Sequence, residues 1–199
     1  MADSPQENVL DWTNDQSPRG RLLRSAAHLF KTKGYDRTTV RDLAKLVGIQ
    51  SGSIFHHFKT KEHILLAVMR EVIRFNTDRM IRQVEAAHTT RDKVLALVRS
   101  ELQSILGETS EAMTALVFEW RALSPESQHE ILGLRQTYEH IWLSVLDAAK
   151  EEGLTVLDSF ILRRLLTGAL SWTINWYRDD GQISIDQLAE QALTLAIKS

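Results

Sequence analysis

Residues 50–57 crowd an amide, two hydroxyls and two imidazoles (Gln50, Ser51, Ser53, His56 and His57) into one short stretch. Such groups hydrogen-bond to base edges and phosphate oxygens, and Thr39, Arg41 and Lys61 flank them with a hydroxyl and two cations. The elements that position them can be read around the stretch. Thr38–Leu46 has a hydroxyl cap and helical apolar spacing, Val47-Gly48-Ile49 breaks it, and a short second helix carries the polar group. A turn at Lys59-Thr60 then opens a third helix with Lys61 and Glu62. Two short helices joined through a glycine predict a helix-turn-helix, whose second helix fits a DNA major groove about 12 Å wide.

Other chemistries find little support in the sequence. Adjacent His56 and His57 would diverge by about 100° on a helix, so no chelating pair is expected and no metal is assigned. No nucleophile–base signature, phosphate-cradling glycine loop or HExxH pattern occurs, and neither an enzyme nor a cofactor is expected. The chain has no cysteine, which excludes disulfides and thiolate metal sites and fits a reducing cytoplasm. No apolar run approaches the roughly 18 residues a membrane span needs, and MADSPQENVLDW lacks a signal-peptide pattern. A cytoplasmic location with no membrane partner is expected.

The net charge of −2 hides an uneven distribution. Residues 1–17 carry Asp3, Glu7, Asp11 and Asp15 with no Lys or Arg; residues 18–63 carry ten Lys/Arg against three acids; residues 64–199 carry fourteen against nineteen. A cationic head on an acidic body suits phosphate binding by the head alone, because the attraction is screened within about 10 Å.

Periodicity predicts an all-α chain in three parts: a flexible acidic tail at 1–16 with Trp12 as an isolated aromatic, a helix-turn-helix domain at 17–63, and a helical domain at 64–199. Ser17-Pro18 starts the first helix and Gly34 ends it; Thr60 caps a long fourth helix running to about Ala87. Further helices are expected over Arg91–Leu106, Ser110–Leu123, Glu126–Glu152, Val156–Arg178 and Ile185–Ile197.

The stretch RGRLLRSAAHLFKTKGYDRTTVRDLAKLVGIQSGSIFHHFKTKEHILLAV resembles the N-terminal domain of TetR-family transcriptional regulators. The resemblance is carried by Ala26-Ala27, Leu29-Phe30, Gly34-Tyr35, Thr38-Thr39-Val40, Asp42-Leu43-Ala44, Gly48-Ile49, Gly52, His57-Phe58 and Lys61-Glu62. It implies that Thr39 and Lys61 meet phosphates, that Gly52 lets backbone and phosphate approach, and that Arg41 reaches a phosphate or a base. Gln50, Ser51, Ser53, His56 and His57 are the expected groove contacts. The chain departs from the pattern at Gln50-Ser51, where relatives often have Ser then Lys or Arg. It departs again at Phe55, where a Tyr hydroxyl usually meets a phosphate. Gln50 can instead read adenine through its amide.

The resemblance further implies a C-terminal domain that binds an effector and pairs two chains. Met113, Phe118, Trp120, Tyr138, Trp142, Trp172 and Trp176 are either core or cavity wall, with Arg121, His140 and Asn175 as orienting polar groups. LSWTINWYRDDGQIS, residues 170–184, is similar to regulators that answer to acyl-CoA thioesters, so an acyl-CoA is one expected effector. Arg163, Arg164 and Arg178 then face its phosphates or the dimer rim. Phe160, Leu165, Gly168, Ala169, Trp172, Leu188, Ala192 and Leu195 are expected to pair with a second copy in a four-helix bundle. Such a homodimer sets two reading helices about 34 Å apart on a palindromic operator. The expected function is a ligand-released repressor; an activator, or an effector-independent regulator, on the same fold is the alternative.

Overall fold

The computed structural model describes residues 11, 12 and 14–198. Nine α-helices occur among them, with no strand. α1 (Pro18–Lys33), α2 (Val40–Val47) and α3 (Ser51–Phe55) form the head. α4 (Lys61–Glu85) leads into α5 (Thr90–Leu106), α6 (Ser110–Phe118), α7 (Pro125–Glu151), α8 (Ser159–Trp172) and α9 (Ile185–Ala196). No helix among the described residues is long and apolar enough to cross a membrane.

Most of these helices start where a side chain satisfies free backbone N–H groups. Ser17 Oγ accepts from the Gly20 N–H at 2.9 Å and Pro18 fills the first position. Thr39 and Asp42 form a reciprocal capping box on α2, as Ser184 and Gln187 do on α9. α1 and α2 stop at Gly34 (φ 84°) and Gly48 (φ 76°), backbone conformations that a side chain would strain. Two expected helices are shorter than the apolar pattern suggested. Helix α6 ends at Phe118, and Trp120–Ala122 form a separate 3-10 turn. Helix α8 begins only at Ser159, because Asp158 Oδ1 accepts the Ile161 N–H at 3.1 Å and caps it there.

Two cores form. The first joins the head to the N-terminal half of α4, to α6 and to Ile131; the second lies among α5, α7, α8 and α9. Helix α4 is common to both, giving Ile64–Ile73 to the first and Met80 to the second. Trp12, expected as an isolated tail aromatic, is only 4% exposed and belongs to the first core. The turn around it is held by the Asn14 N–H on Asp11 Oδ1 (3.2 Å) and the Ser17 N–H on Asp15 Oδ1 (2.7 Å). Arg24 donates to the Asp15 carbonyl, and a Cβ on Gly20 would stand 2.7 Å from the Asp15 carboxyl. The acids expected at Asp3 and Glu7 lie outside the described residues.

Removing an indole buried this far leaves a cavity in the head. Trp12→Ala is expected to lower unfolding free energy by about 3–5 kcal/mol, read from urea titrations followed by circular dichroism. A loss below about 0.5 kcal/mol would show that the segment adds nothing to the core.

Candidate DNA-binding head and effector cavity

The head presents α3 by burying its opposite side. Ile54 and Phe58 are buried, while Gln50, Gly52, Ser53, Phe55, His56 and His57 are exposed and Ser51 is half-buried. The helix itself is shorter than expected: His56 is its C-cap, and the His57 N–H bonds back to the Ile54 carbonyl at 3.0 Å. Both imidazoles therefore project from the exit turn rather than from the rod. Gln50 stands at the N-cap without a capping hydrogen bond, which leaves its amide free to turn outward. A Cβ on Gly52 would meet nothing within 4 Å, so packing within the chain does not require glycine there. Arg41 and Lys45 are exposed on α2 beside this surface.

Two expected phosphate ligands have partners inside the chain. Thr39 Oγ1 donates to Asp42 Oδ2 (2.9 Å) and accepts the Asp42 N–H (3.1 Å). Lys61 Nζ donates to the carbonyls of Tyr35 (2.7 Å) and Thr38 (3.0 Å) and sits 4.0 Å from the centroid of the Tyr35 ring. Three ammonium protons facing carbonyls and an aromatic face clasp the α1–α2 loop to the start of α4. Nearby, the Lys33 ammonium, 2.5 Å away, together with the Thr39 N–H and hydroxyl, lowers the pKa of the Asp42 carboxyl to about 2.

Carboxylates sew the head to the body. Glu119 Oε1 accepts the Tyr35 N–H at 3.0 Å and Glu111 meets His28 Nδ1 at 3.0 Å; within the body, Glu62 at the start of α4 accepts the Ser124 N–H (2.9 Å) and the Ser127 hydroxyl (3.0 Å) at the start of α7. The Ser124 N–H and hydroxyl hold the Glu62 carboxyl below its ordinary range. Arg19 adds a 2.7 Å ion pair to buried Glu71. None of these partners was legible in spacing, since they meet across separations such as 83 and 84 residues.

Behind the seam lies a cavity of about 740 Å³ bounded by α4, α5, α6, α7 and α8. Of the expected effector residues, Met113, Phe118, Trp120, Tyr138, Trp172 and Asn175 line it. Trp142 does not: at 0% exposure it fills the second core. Arg121, His140 and Trp176 are exposed and lie off the wall. The sequence reading missed Asn76, Glu101 and Arg135 on this wall, and Arg163, expected at an acyl-CoA's phosphates or the dimer rim, also lines it. A signal was present: Asn76 and Glu101 interrupt apolar stripes, Val72-Ile73…Met80 on α4 and Val98…Leu102-Ile105 on α5. Of the outer arginines, Arg163 pairs with Glu139 at 2.8 Å, Arg164 stacks 4.3 Å from the Phe160 centroid, and Arg178 meets Asp180 at 3.3 Å.

The outer face of α8 is apolar and open. Leu165 is 63% and Trp172 68% exposed, with Phe160, Gly168 and Ala169 beside them, and Leu195 of α9 is 70% exposed. Leu188 and Ala192 are a correction. The apolar face of α9 packs on the second core and buries both, so neither is available to a partner.

A family model described as bacterial regulatory proteins of the tetR family matches residues 22–68, and one described as the tetracyclin repressor-like C-terminal domain matches residues 87–199. The HTH-type transcriptional repressor KstR2 of Mycolicibacterium smegmatis is 28% identical over 185 residues, spanning 91% of this chain and 89% of that protein. Among solved structures, one described as superantigen pfit is 57% identical with a TM-score of 0.84, covering 94% of this chain and 92% of its own. The ketosteroid transcriptional regulator KstR2 of Mycobacterium tuberculosis is 26% identical with a TM-score of 0.81, covering 94% and 98%.

The clasp and the capping box generate two expectations. Lys61→Ala should lower stability by about 2 kcal/mol, or roughly 4–8 °C in Tm, without DNA present. An unchanged Tm with a salt slope of DNA binding reduced by about one would return the ammonium to a phosphate. Because the Asp42 carboxyl is depressed in the folded state, its stabilisation is complete above about 4 and is lost as pH falls toward about 2. Melts across that window should show a shallower acid loss for Asp42→Asn than for the parent; parallel curves would contradict the capping geometry.

Proposed function

The chain belongs to the tetR family of bacterial regulatory proteins, and from that premise we propose that it is a homodimeric transcriptional repressor. In this reading it holds a palindromic operator and lets go when a small lipophilic effector, an acyl-CoA thioester among the first candidates, fills the cavity. It works on DNA in the cytoplasm and carries out no turnover. The word superantigen belongs to the 57% identical protein so described; the reading for this chain rests on its own helix-turn-helix and cavity.

The single observation that carries the reading is that one helix serves both sites. Helix α6 lines the cavity with Met113, Thr114, Leu116, Val117 and Phe118. The same helix meets α1 through Glu111 and His28, and the residue after it, Glu119, holds the Tyr35 N–H. An effector that favours one placement of α6 therefore biases the attitude of the head, and the coupling is worth only what the effector gains between the two placements. The open apolar face of α8, with Leu165 and Trp172 exposed, supports the two-fold assembly. A Cβ on Gly168 would meet nothing within the chain, which leaves room for a close neighbour. Arg41, Lys45 and the exposed polar groups of residues 50–57 supply the charge and the reading groups.

The reading is tested by fluorescence anisotropy with the DNA upstream of its own gene and by light scattering. A dimer should bind that fragment with a steep inverse salt dependence, and octanoyl-CoA should weaken binding while raising Tm. Gln50→Ala should relax preference at one base position by about 1–3 kcal/mol and leave random DNA unaffected. A monomer in solution, or equal losses on specific and random duplexes, would count against the reading.

A further inference from the structure

One cavity group serves neither the head nor the packing of the body. Glu101 is 8% exposed on α5, in a stripe otherwise made of Val94, Leu97, Val98, Leu102 and Ile105, and it lines the cavity. Tyr138 donates its hydroxyl to Glu101 Oε2 at 2.7 Å. The Trp142 indole N–H also faces this carboxyl, at poor hydrogen-bond geometry, and among the described residues the Tyr138 hydroxyl is the well-formed donor to it, on Oε2. Arg163, on the same wall, is committed to Glu139. Burial pushes the Glu101 carboxyl above its ordinary range, against the opposing pull of the Tyr138 hydroxyl and the Arg163 charge. A carboxyl with an unfilled acceptor oxygen, set among aliphatic side chains, costs folding free energy that an apolar residue would not. Its position on the wall of a large cavity gives it a use that packing does not.

We propose that Glu101 determines which effectors the cavity accepts: its Oε1 takes a hydrogen bond from a hydroxyl on the part of a lipophilic effector that lies inside, and a group that can only accept is disfavoured there. The inference rests on the reading of this cavity as the effector site. The apolar wall of Ile73, Ile105, Leu116 and Ile174 takes the hydrocarbon, and the carboxylate rewards the one polar group that can donate. A ketone of similar length presents only an acceptor and leaves Oε1 unfilled. Discrimination arises from the unpaired buried group rather than from shape.

The test uses the full chain and its Glu101→Gln variant, with N-phenyl-1-naphthylamine as a fluorescent cavity probe and decan-1-ol and 2-undecanone as competitors at about pH 9, so that a carboxyl held above its ordinary range is ionised. In the parent, decan-1-ol should displace the dye at a concentration at least about tenfold below the ketone. The amide introduced by Glu101→Gln keeps an oxygen for the Tyr138 hydroxyl and turns an N–H toward the cavity. In that variant the ketone should therefore rise to within about threefold of the alcohol while dye affinity stays the same. A parent without preference for the alcohol overturns the inference, as does an unchanged preference in the variant; in both cases the cavity still binds and the effector reading stands. A dye that binds neither protein, with neither competitor shifting Tm, removes the cavity reading and the inference together.

Discussion

Everything this fold presents to a duplex depends on the burial of Ile54 and Phe58. A helix of five residues cannot hold itself together in water, because nucleation costs more than so few hydrogen bonds return. α3 exists because those two side chains are taken into the first core and because Gly48 lets the chain reverse tightly before it. The exposed residues are therefore held by what lies behind them. The Lys61 clasp on the α1–α2 loop and the capping box of Thr39 and Asp42 belong to the same support, although both use groups that could have met a phosphate.

The second theme is the division of labour among acids. Glu111 and Glu119 reach across the seam between head and body and Glu62 joins α4 to α7, two of the three accepting from backbone N–H groups that would otherwise be unsatisfied. Backbone donors cannot be moved by substitution, so these contacts fix geometry more than they fix charge. Glu71 and Glu101 are buried and differ in company: Glu71 has a guanidinium at 2.7 Å, while Glu101 has a phenol and a cavity. The head's positive charge remains outward on Arg41 and Lys45.

Much of this was legible in the residues. Caps at Ser17, Thr39 and Thr60, with glycine stops at 34 and 48, marked the helices because cap chemistry is local. The exposed set on α3 followed from period and polarity. Legibility failed where a residue's fate is decided by a distant element. Trp12 read as tail because Asp11, Asn14, Asp15 and Gln16 surround it, yet the first core takes it in. Trp142 read as cavity wall beside Tyr138, but it faces the second core. Leu188 and Ala192 read as interface because an amphipathic stripe does not say which neighbour it faces. Glu101 and Asn76 were overlooked although each breaks an apolar stripe, the one local sign that a helix face borders something other than hydrocarbon.

Gly168 and Trp172 stand on the rim of the cavity and also on the bare outer side of α8. A side chain that widens or narrows the mouth there also reshapes the surface on which another molecule would rest. Diversification at these two sites is thereby constrained, because a change at either has to suit the cavity and the outer surface together.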